Sequence, residues 1–531
     1  MNRSMDSTLI KAGRVITFDG TDTEGVVFVG DRVAATGSFA ALHAKYPHAA
    51  VVDYGDATVI PGLHDAHLHL TMMAMQLMGV DASPESLRDE GALRARIAGA
   101  HKDTPADSWL RISRYDQVRT TGNRVWTRED LDELAGDRPA VMTHVGAHWG
   151  VVNSAALRLM GVGDTTPDPR HGSYGRDASG RLTGLVVEQA LFDVVYPALS
   201  RMPQLASDHS PAAFAASIRS ASALLNSHGI TAVGDAMVGA SDLRALQAVR
   251  AEGGLGVRVT ALMTAPFLHA LSTAGIAGGF GDDWLRIGGI KTFLDGAVAG
   301  RSCAVAEPFE GSDDVGIMTM ESAELAELVE RADRAGLPLA VHANGERAIT
   351  MLLDVLDAVG STGRHRIEHC SIVTPELVDR IRRRRLIVVP FASYPLYHGD
   401  KLLDWYGAHR AERMFAHQWF LRAGVDVAGS SDYPCGPLDP RLGLQSMVTR
   451  RTRSGKEFGS AQSVDLREAI AMYTIGSAKA AGTSGWMGRL ASGYLADATV
   501  FEGDLLASPS DELGTVPVLA TWVGGEVKWQ A

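Results

Sequence analysis

Apolar and polar positions follow three different patterns along the chain. Near the amino end, "TLIKAGRVITFDG" alternates the two classes and stops at Asp19-Gly20, and "GVVFVGDRVAATG" repeats the alternation around Gly30-Asp31. Alternation broken by such pairs predicts short strands joined by tight turns. "AAVVDYGDATVIPG" supplies two further strands, and the same texture returns in "GYLADATVFEG" and "PVLATWVGGEVKW" near the carboxyl end. Two β-rich ends around a different middle predict one small β-sandwich domain built from residues 1–60 and 485–531.

The middle reads as helix, glycine, apolar strand, many times over. "SPAAFAASIRSASALLNSHG" has Ser210 as N-cap, Pro211 in the first turn and Gly229 past its end, and "ITAVGDAM" follows. "SAELAELVERADRAG" precedes "LPLAVHANG", "TPELVDRIRRRR" precedes "LIVVPFAS", and "HQWFLRAG" precedes "VDVAGSSDYP". Near-continuous apolar strands belong in a buried parallel sheet. Repeated strand–helix units over this length predict an α/β fold, a (β/α)8 TIM barrel across residues 61–484. Its strands are expected near 60–66, 230–237, 257–265, 285–295, 337–343, 365–371, 386–392 and 425–431. The gap after the first is too long for a loop, so an inserted α+β subdomain is expected over residues 75–205. It carries a capping-box start at Thr127 and the polar run "THVGAHWGVVNS".

Composition narrows the function without naming it. A chain of 531 residues with 46% hydrophobic and 21% charged residues is ordinary globular material, and a net charge of −12 argues against a nucleic-acid or anionic-membrane surface. The dense basic run, Arg382 to Arg385, ends a predicted helix and reads as a solvated helix terminus. Cys303, Cys370 and Cys435 form no CxxC pair, so neither a disulfide framework nor a cysteine zinc site is expected. With no apolar leader and no bilayer-length apolar run, a cytoplasmic location is expected.

The chemistry sits at the expected carboxyl ends of the strands, where barrel side chains act. "VIPGLHDAHLHL" ends the first with His67 and His69; on a strand, positions two apart share a face. Lys291 lies on the fourth, His342 ends the fifth, His369 the sixth and Asp432 the eighth. Taken singly, each has a structural explanation. Together, four imidazoles and a carboxylate converge on one mouth, a donor set suited to Zn2+, Fe2+, Mn2+ or Co2+. Burying so many polar groups without an ion would be costly. His64 faces the other way and is expected to be structural; Asp65 shares the inward face, to orient an imidazole or to stabilise a turn.

In this ordered set the sequence resembles the amidohydrolase superfamily, specifically its amidohydrolase-3 branch, which includes N-substituted formamide deformylases. The resemblance is carried by "PGLHDAHLHL", "IKTFLDGAVAGRSCAV", "VHANGERAI", "RHRIEHC", "AGVDVAGSSDYP" and "GYLADATVFEGD". It implies that His67 and His69 bind one metal, with Asp432 as ligand and general base or acid. It implies that Lys291, carboxylated by CO2, bridges two metals, and that His342 and His369 hold the second. A lysine left uncarboxylated beside a single ion is the other possibility. Glu346 stands where the branch usually has Asp and is expected to support a ligand from behind or to anchor a loop, rather than to ligate.

The implied reaction is hydrolysis of an amide-like C–N bond in a small molecule (an N-substituted amide, formamide or carbamate), with Zn2+ the expected ion. His148, Trp149 and Tyr394 are candidate substrate contacts, and Arg301 is the one candidate anion contact. A metal-dependent lyase or decarboxylase on the same scaffold and a non-catalytic scaffold protein are the alternatives. A homodimer is the expectation that the superfamily brings.

Overall fold

The computed structural model describes residues 7–84, 86–87, 89–103, 108–200 and 210–531. The apolar segments of the middle form eight strands: β1 Leu63–Leu68, β2 Ile230–Val238, β3 Arg258–Thr264, β4 Leu285–Phe293, β5 Leu339–Ala343, β6 Arg366–His369, β7 Ile387–Val389 and β8 Asp426–Val427. All neighbours are parallel and stand in chain order in one curled sheet. The segment after β8 returns to β1. Ala66 N donates to Gly429 O at 3.0 Å, Asp432 N to His67 O at 2.9 Å and His69 N to Tyr433 O at 3.0 Å. Asp65 reinforces this seam rather than an imidazole: its carboxylate accepts from Ser431 N at 3.1 Å, and burial pushes it up to about 7.

The strands are apolar because both faces are covered. β1, β5 and β6 are buried along their whole length, so their few polar side chains must meet other protein groups rather than bulk water. Surrounding helices begin and end where their punctuation places them. Ser210 caps Pro211–Ser227 through Ala213 N, Gly336 ends Ser322–Ala335 in the left-handed region, and Thr374 caps Pro375–Arg383. Leu246, Leu325, Ile349, Leu352 and Phe420 carry the helix faces into one core with the strands. The basic run is neutralised locally, with Arg382 on Asp379 at 2.8 Å and Arg384 on Asp357.

Between β1 and β2 lies a separate six-stranded sheet, from Val80–Asp81 to Leu182–Glu188, flanked by helices such as Arg128–Ala135 with its capping box at Thr127. The insert's expected limit at residue 205 falls outside the described residues.

The two chain ends share a third sheet of eight strands, in which Thr58–Pro61 pairs antiparallel with Ala498–Phe501. Where a sandwich was expected, the structure has one continuous sheet that folds back on itself. Phe28 and Trp522 lie on strands four places apart, about 19 Å in a flat sheet, yet their ring centres are 5.9 Å apart. A buried fork joins this sheet to β3 of the curled parallel sheet, Arg258 donating to the two oxygens of Asp497 at 2.7 and 2.9 Å. Among the described residues no helix is long and apolar enough to cross a membrane.

Candidate metal centre

The end of β1 turns directly into a helix, Leu70–Leu77, with His69 as its N-cap residue. His67, the last inward residue but one, and His69 thus stand at the strand mouth. Asp432 reaches the same point from the loop after β8, where its backbone adopts the left-handed region at φ 53°. A non-glycine residue there is held by its surroundings, here by the Asp432 N–H to His67 carbonyl bond. The ligand atoms of His67, His69 and Asp432 all lie within 4.8 Å of one another. Both imidazoles present Nε2 to Asp432 Oδ1, at 3.3 and 3.2 Å. Their Nδ1 atoms face outward, His67 to Glu368 and His69 to the Ala236 carbonyl at 3.0 Å. Burial tends to raise the Asp432 carboxyl, but His369, His67 and His69 outweigh it and hold the group well below the ordinary carboxylate range.

Two more imidazoles adjoin. The ring centre of His369 is 4.8 Å from that of His67 and 4.6 Å from that of His342. His369 and Cys370 are also left-handed, at φ 71° and 41°, which swings the His369 ring out of simple strand alternation. Burial holds both His342 and His369 neutral, well below the usual imidazole range. Lys291 rises from β4 among these groups with its Nζ 4.2 Å from the centre of the Phe293 ring. Burial draws its ammonium down to about 8, against the pull of Glu368 and Asp432.

The donor set fits a divalent ion. Lys291 Nζ, His369 Nδ1 and His67 Nε2 are buried polar atoms with no well-aligned hydrogen bond among the described residues. Buried groups of this kind are normally satisfied, and three beside one carboxylate mark a place where something binds.

The other sequence candidates divide. His148, from the insert, is brought in: its ring centre is 5.2 Å from that of His342. Trp149 is turned to the other side of its strand and stacks on His144 at 4.3 Å. Tyr394 lies one ring away, stacked at 3.6 Å on Phe391, which itself stacks on His369 at 4.3 Å. Arg301 is turned to Phe309, 5.4 Å from the ring centre, and donates to the Glu310 carbonyl. Glu346 anchors a loop, accepting from Ala306 N at 3.3 Å beside Arg413. His64 is buried, and burial pulls it down to about 3.

Three carboxylates escaped the sequence reading. Glu368 holds His67, Glu188 holds His148 Nδ1 at 2.9 Å, and Asp295 accepts backbone N–H groups from Asn344, Gly345 and Ala304 at 2.8–3.0 Å. Glu368 alone left a signal, its place beside His369 in "RIEH".

Known proteins match this chain over most of its length. A profile described as the amidohydrolase family matches residues 50–528. A putative amidohydrolase YtcJ of Bacillus subtilis is 28% identical, covering 96% of this chain and 97% of its own. An N-substituted formamide deformylase of Arthrobacter pascens is also 28% identical, covering 100% and 99%. In structure, an uncharacterized metal-dependent hydrolase from Pyrococcus horikoshii superposes with a TM-score of 0.79 at 24% identity, over 95% of this chain and 99% of the other.

Proposed function

Because this chain belongs to the amidohydrolase family, we propose that it is a metal-dependent hydrolase that cleaves an amide-like C–N bond of a small molecule. The observation that carries this reading is the convergence of His67, His69 and Asp432 within 4.8 Å, next to buried polar atoms with no well-aligned hydrogen bond among the described residues. Zn2+ is the ion proposed, with His67, His69 and Asp432 holding it. When bound, such an ion supplies Lewis acidity toward a carbonyl and lowers the pKa of water toward neutrality.

The chain's own residues do the rest. Asp432 accepts a proton from the attacking water, since its neighbouring imidazoles keep it ionised. It returns that proton to the leaving nitrogen when the tetrahedral intermediate collapses. Lys291 is proposed to react with CO2 as its free amine, losing a proton to become a carbamate. The carbamate oxygens and the imidazoles of His342 and His369 would hold a second ion. A buried amine drawn down to about 8 has an appreciable unprotonated fraction at neutral pH, which favours that step. His148 is the proposed substrate contact. The barrel, residues 61–484, is proposed to carry the chemistry, and the insert to cover it.

The relative from Arthrobacter pascens makes N-substituted formamides the first substrates to try, followed by other N-substituted amides and carbamates. Amine release that stops on chelation and returns with Zn2+ supports the hydrolase. Metal per chain, by plasma mass spectrometry on protein purified without chelator, decides the Lys291 assignment. About two equivalents, falling in Lys291→Ala, support the carbamate; one equivalent, unchanged in that variant, rejects it. Folded protein that takes up no metal and releases no amine rejects the whole reading.

A further inference from the structure

Beneath the metal centre a line of charge crosses the barrel interior. Arg366 and Glu368, both on β6, are 4% and 0% exposed. The guanidinium grips the carboxylate through Nε and Nη2, the latter at 2.8 Å from Oε2. Arg366 is itself fixed, donating through Nη2 to the Ala66 carbonyl at 2.8 Å and through Nη1 to the Ala480 carbonyl at 3.3 Å. Glu368 Oε2 also meets Nδ1 of His67.

Stability alone does not account for this pair. Replacing a buried ion pair by apolar residues of similar volume is often neutral or stabilising, because two desolvation penalties offset the attraction. The line does have a chemical effect. A carboxylate only accepts, so an N–H of the His67 imidazole resides on Nδ1, which leaves Nε2, beside Asp432, as the nitrogen that can give a lone pair to an ion. The Ala236 carbonyl imposes the same tautomer on His69, more weakly because it carries no charge. Both Nε2 atoms then aim at the point beside Asp432 Oδ1.

We propose that Glu368, clamped by Arg366, is a positioning residue for the metal centre: it fixes the tautomer and orientation of His67 and strengthens Nε2 as a ligand. This rests on the metal-dependent reading above. A carboxylate behind a ligating imidazole fixes its ring and raises its basicity, and losing one typically weakens metal binding 10–100-fold.

The test uses Zn2+ alone as probe. Full-length protein is stripped with chelator and titrated with Zn2+ against a chromogenic competitor, for wild type and Glu368→Gln, with folding followed by circular dichroism. The glutamine can still accept a hydrogen bond but carries no charge, and about 10–100-fold weaker Zn2+ binding with the fold retained is expected. Equal affinity overturns the proposal. If Glu368→Gln does not fold because Arg366 is left unpaired, the pair Arg366→Met with Glu368→Gln replaces it, with the same expectation.

A second readout needs no change at Glu368. In Zn2+-loaded, 15N-histidine-labelled wild type, His67 (assigned by its loss in His67→Asn) must show its proton on Nδ1; a proton on Nε2 overturns the proposal. Wild-type protein that binds no Zn2+ overturns the hydrolase reading and this inference together. Tight wild-type binding with an unaffected Glu368→Gln overturns this inference alone.

Discussion

His148 Nδ1 lies 2.9 Å from Glu188 Oε2, and the His148 ring centre is 5.2 Å from that of His342. One residue of the insert is therefore held by another and set against an imidazole of the barrel. Burial would lower the His148 imidazole, but Glu188 outweighs it and holds the group above its ordinary value. A substrate-facing hydrogen-bonding group in a buried site contributes on the order of 100-fold to turnover. His148→Ala is expected to lower kcat/KM by about that factor, with metal content unchanged. Glu188→Gln should fall between the two. Parallel loss of metal in His148→Ala would instead make His148 a ligand.

Metal removal is expected to loosen the barrel. An ion that binds only the folded chain stabilises it by about 2.7 kcal/mol at one hundred times its Kd. Calorimetry with and without chelator should show a lower Tm for the stripped protein, restored by Zn2+. His67→Asn should show little difference between the two conditions.

Acid should weaken the fold partly through His417. Its ring nitrogens are buried with no well-aligned hydrogen bond among the described residues, and burial, helped by the Arg450 charge, pulls its pKa from 6.5 to about 3. Between those values the unfolded chain binds the proton and the folded chain does not. Stability is therefore lost as pH falls from about 6.5 toward 3, by up to about 1.4 kcal/mol per unit. His417→Phe removes that contribution. Urea midpoints measured across this range, with chelator throughout, should fall less steeply for the variant than for wild type.

The fork between Arg258 and Asp497 couples the terminal sheet to β3. Breaking one side of a buried pair leaves the other charge uncompensated and costs about 3–5 kcal/mol. Asp497→Ala should lose stability on that scale in denaturant unfolding. Arg258→Met combined with Asp497→Leu should recover most of it, and failure to recover would show that the Asp497 bond to Gly524 N matters more.

All eight strands were legible because apolar runs, helix caps and terminal glycines agree. The clustered histidines were legible because they stand at or just past strand ends, and Asp432 because it follows the last apolar strand segment. Their carboxylate partners were hidden by backbone geometry. Glu368 and His369 are neighbours, and simple alternation would send them to opposite faces; the left-handed turn at His369 lets both serve the centre. Glu188 meets His148 through the antiparallel ladder that pairs Trp149 with Val187, a register that single-chain patterning does not specify. At Trp149 alternation holds, and it turns the ring to the side of its strand opposite His148, where it stacks on His144.

The ladder between Thr58–Pro61 and Ala498–Phe501 also orders events during synthesis. The first of these strands leaves the ribosome early, but its partner is made 437 residues after Pro61, roughly 20–90 s later at ordinary elongation rates. Throughout that interval the amino-terminal strands have an open edge while the barrel they will rest on is still being built. Strand edges left open are sites of unwanted pairing. The pairing of these two strands thus waits until all eight strands of the parallel sheet have been made.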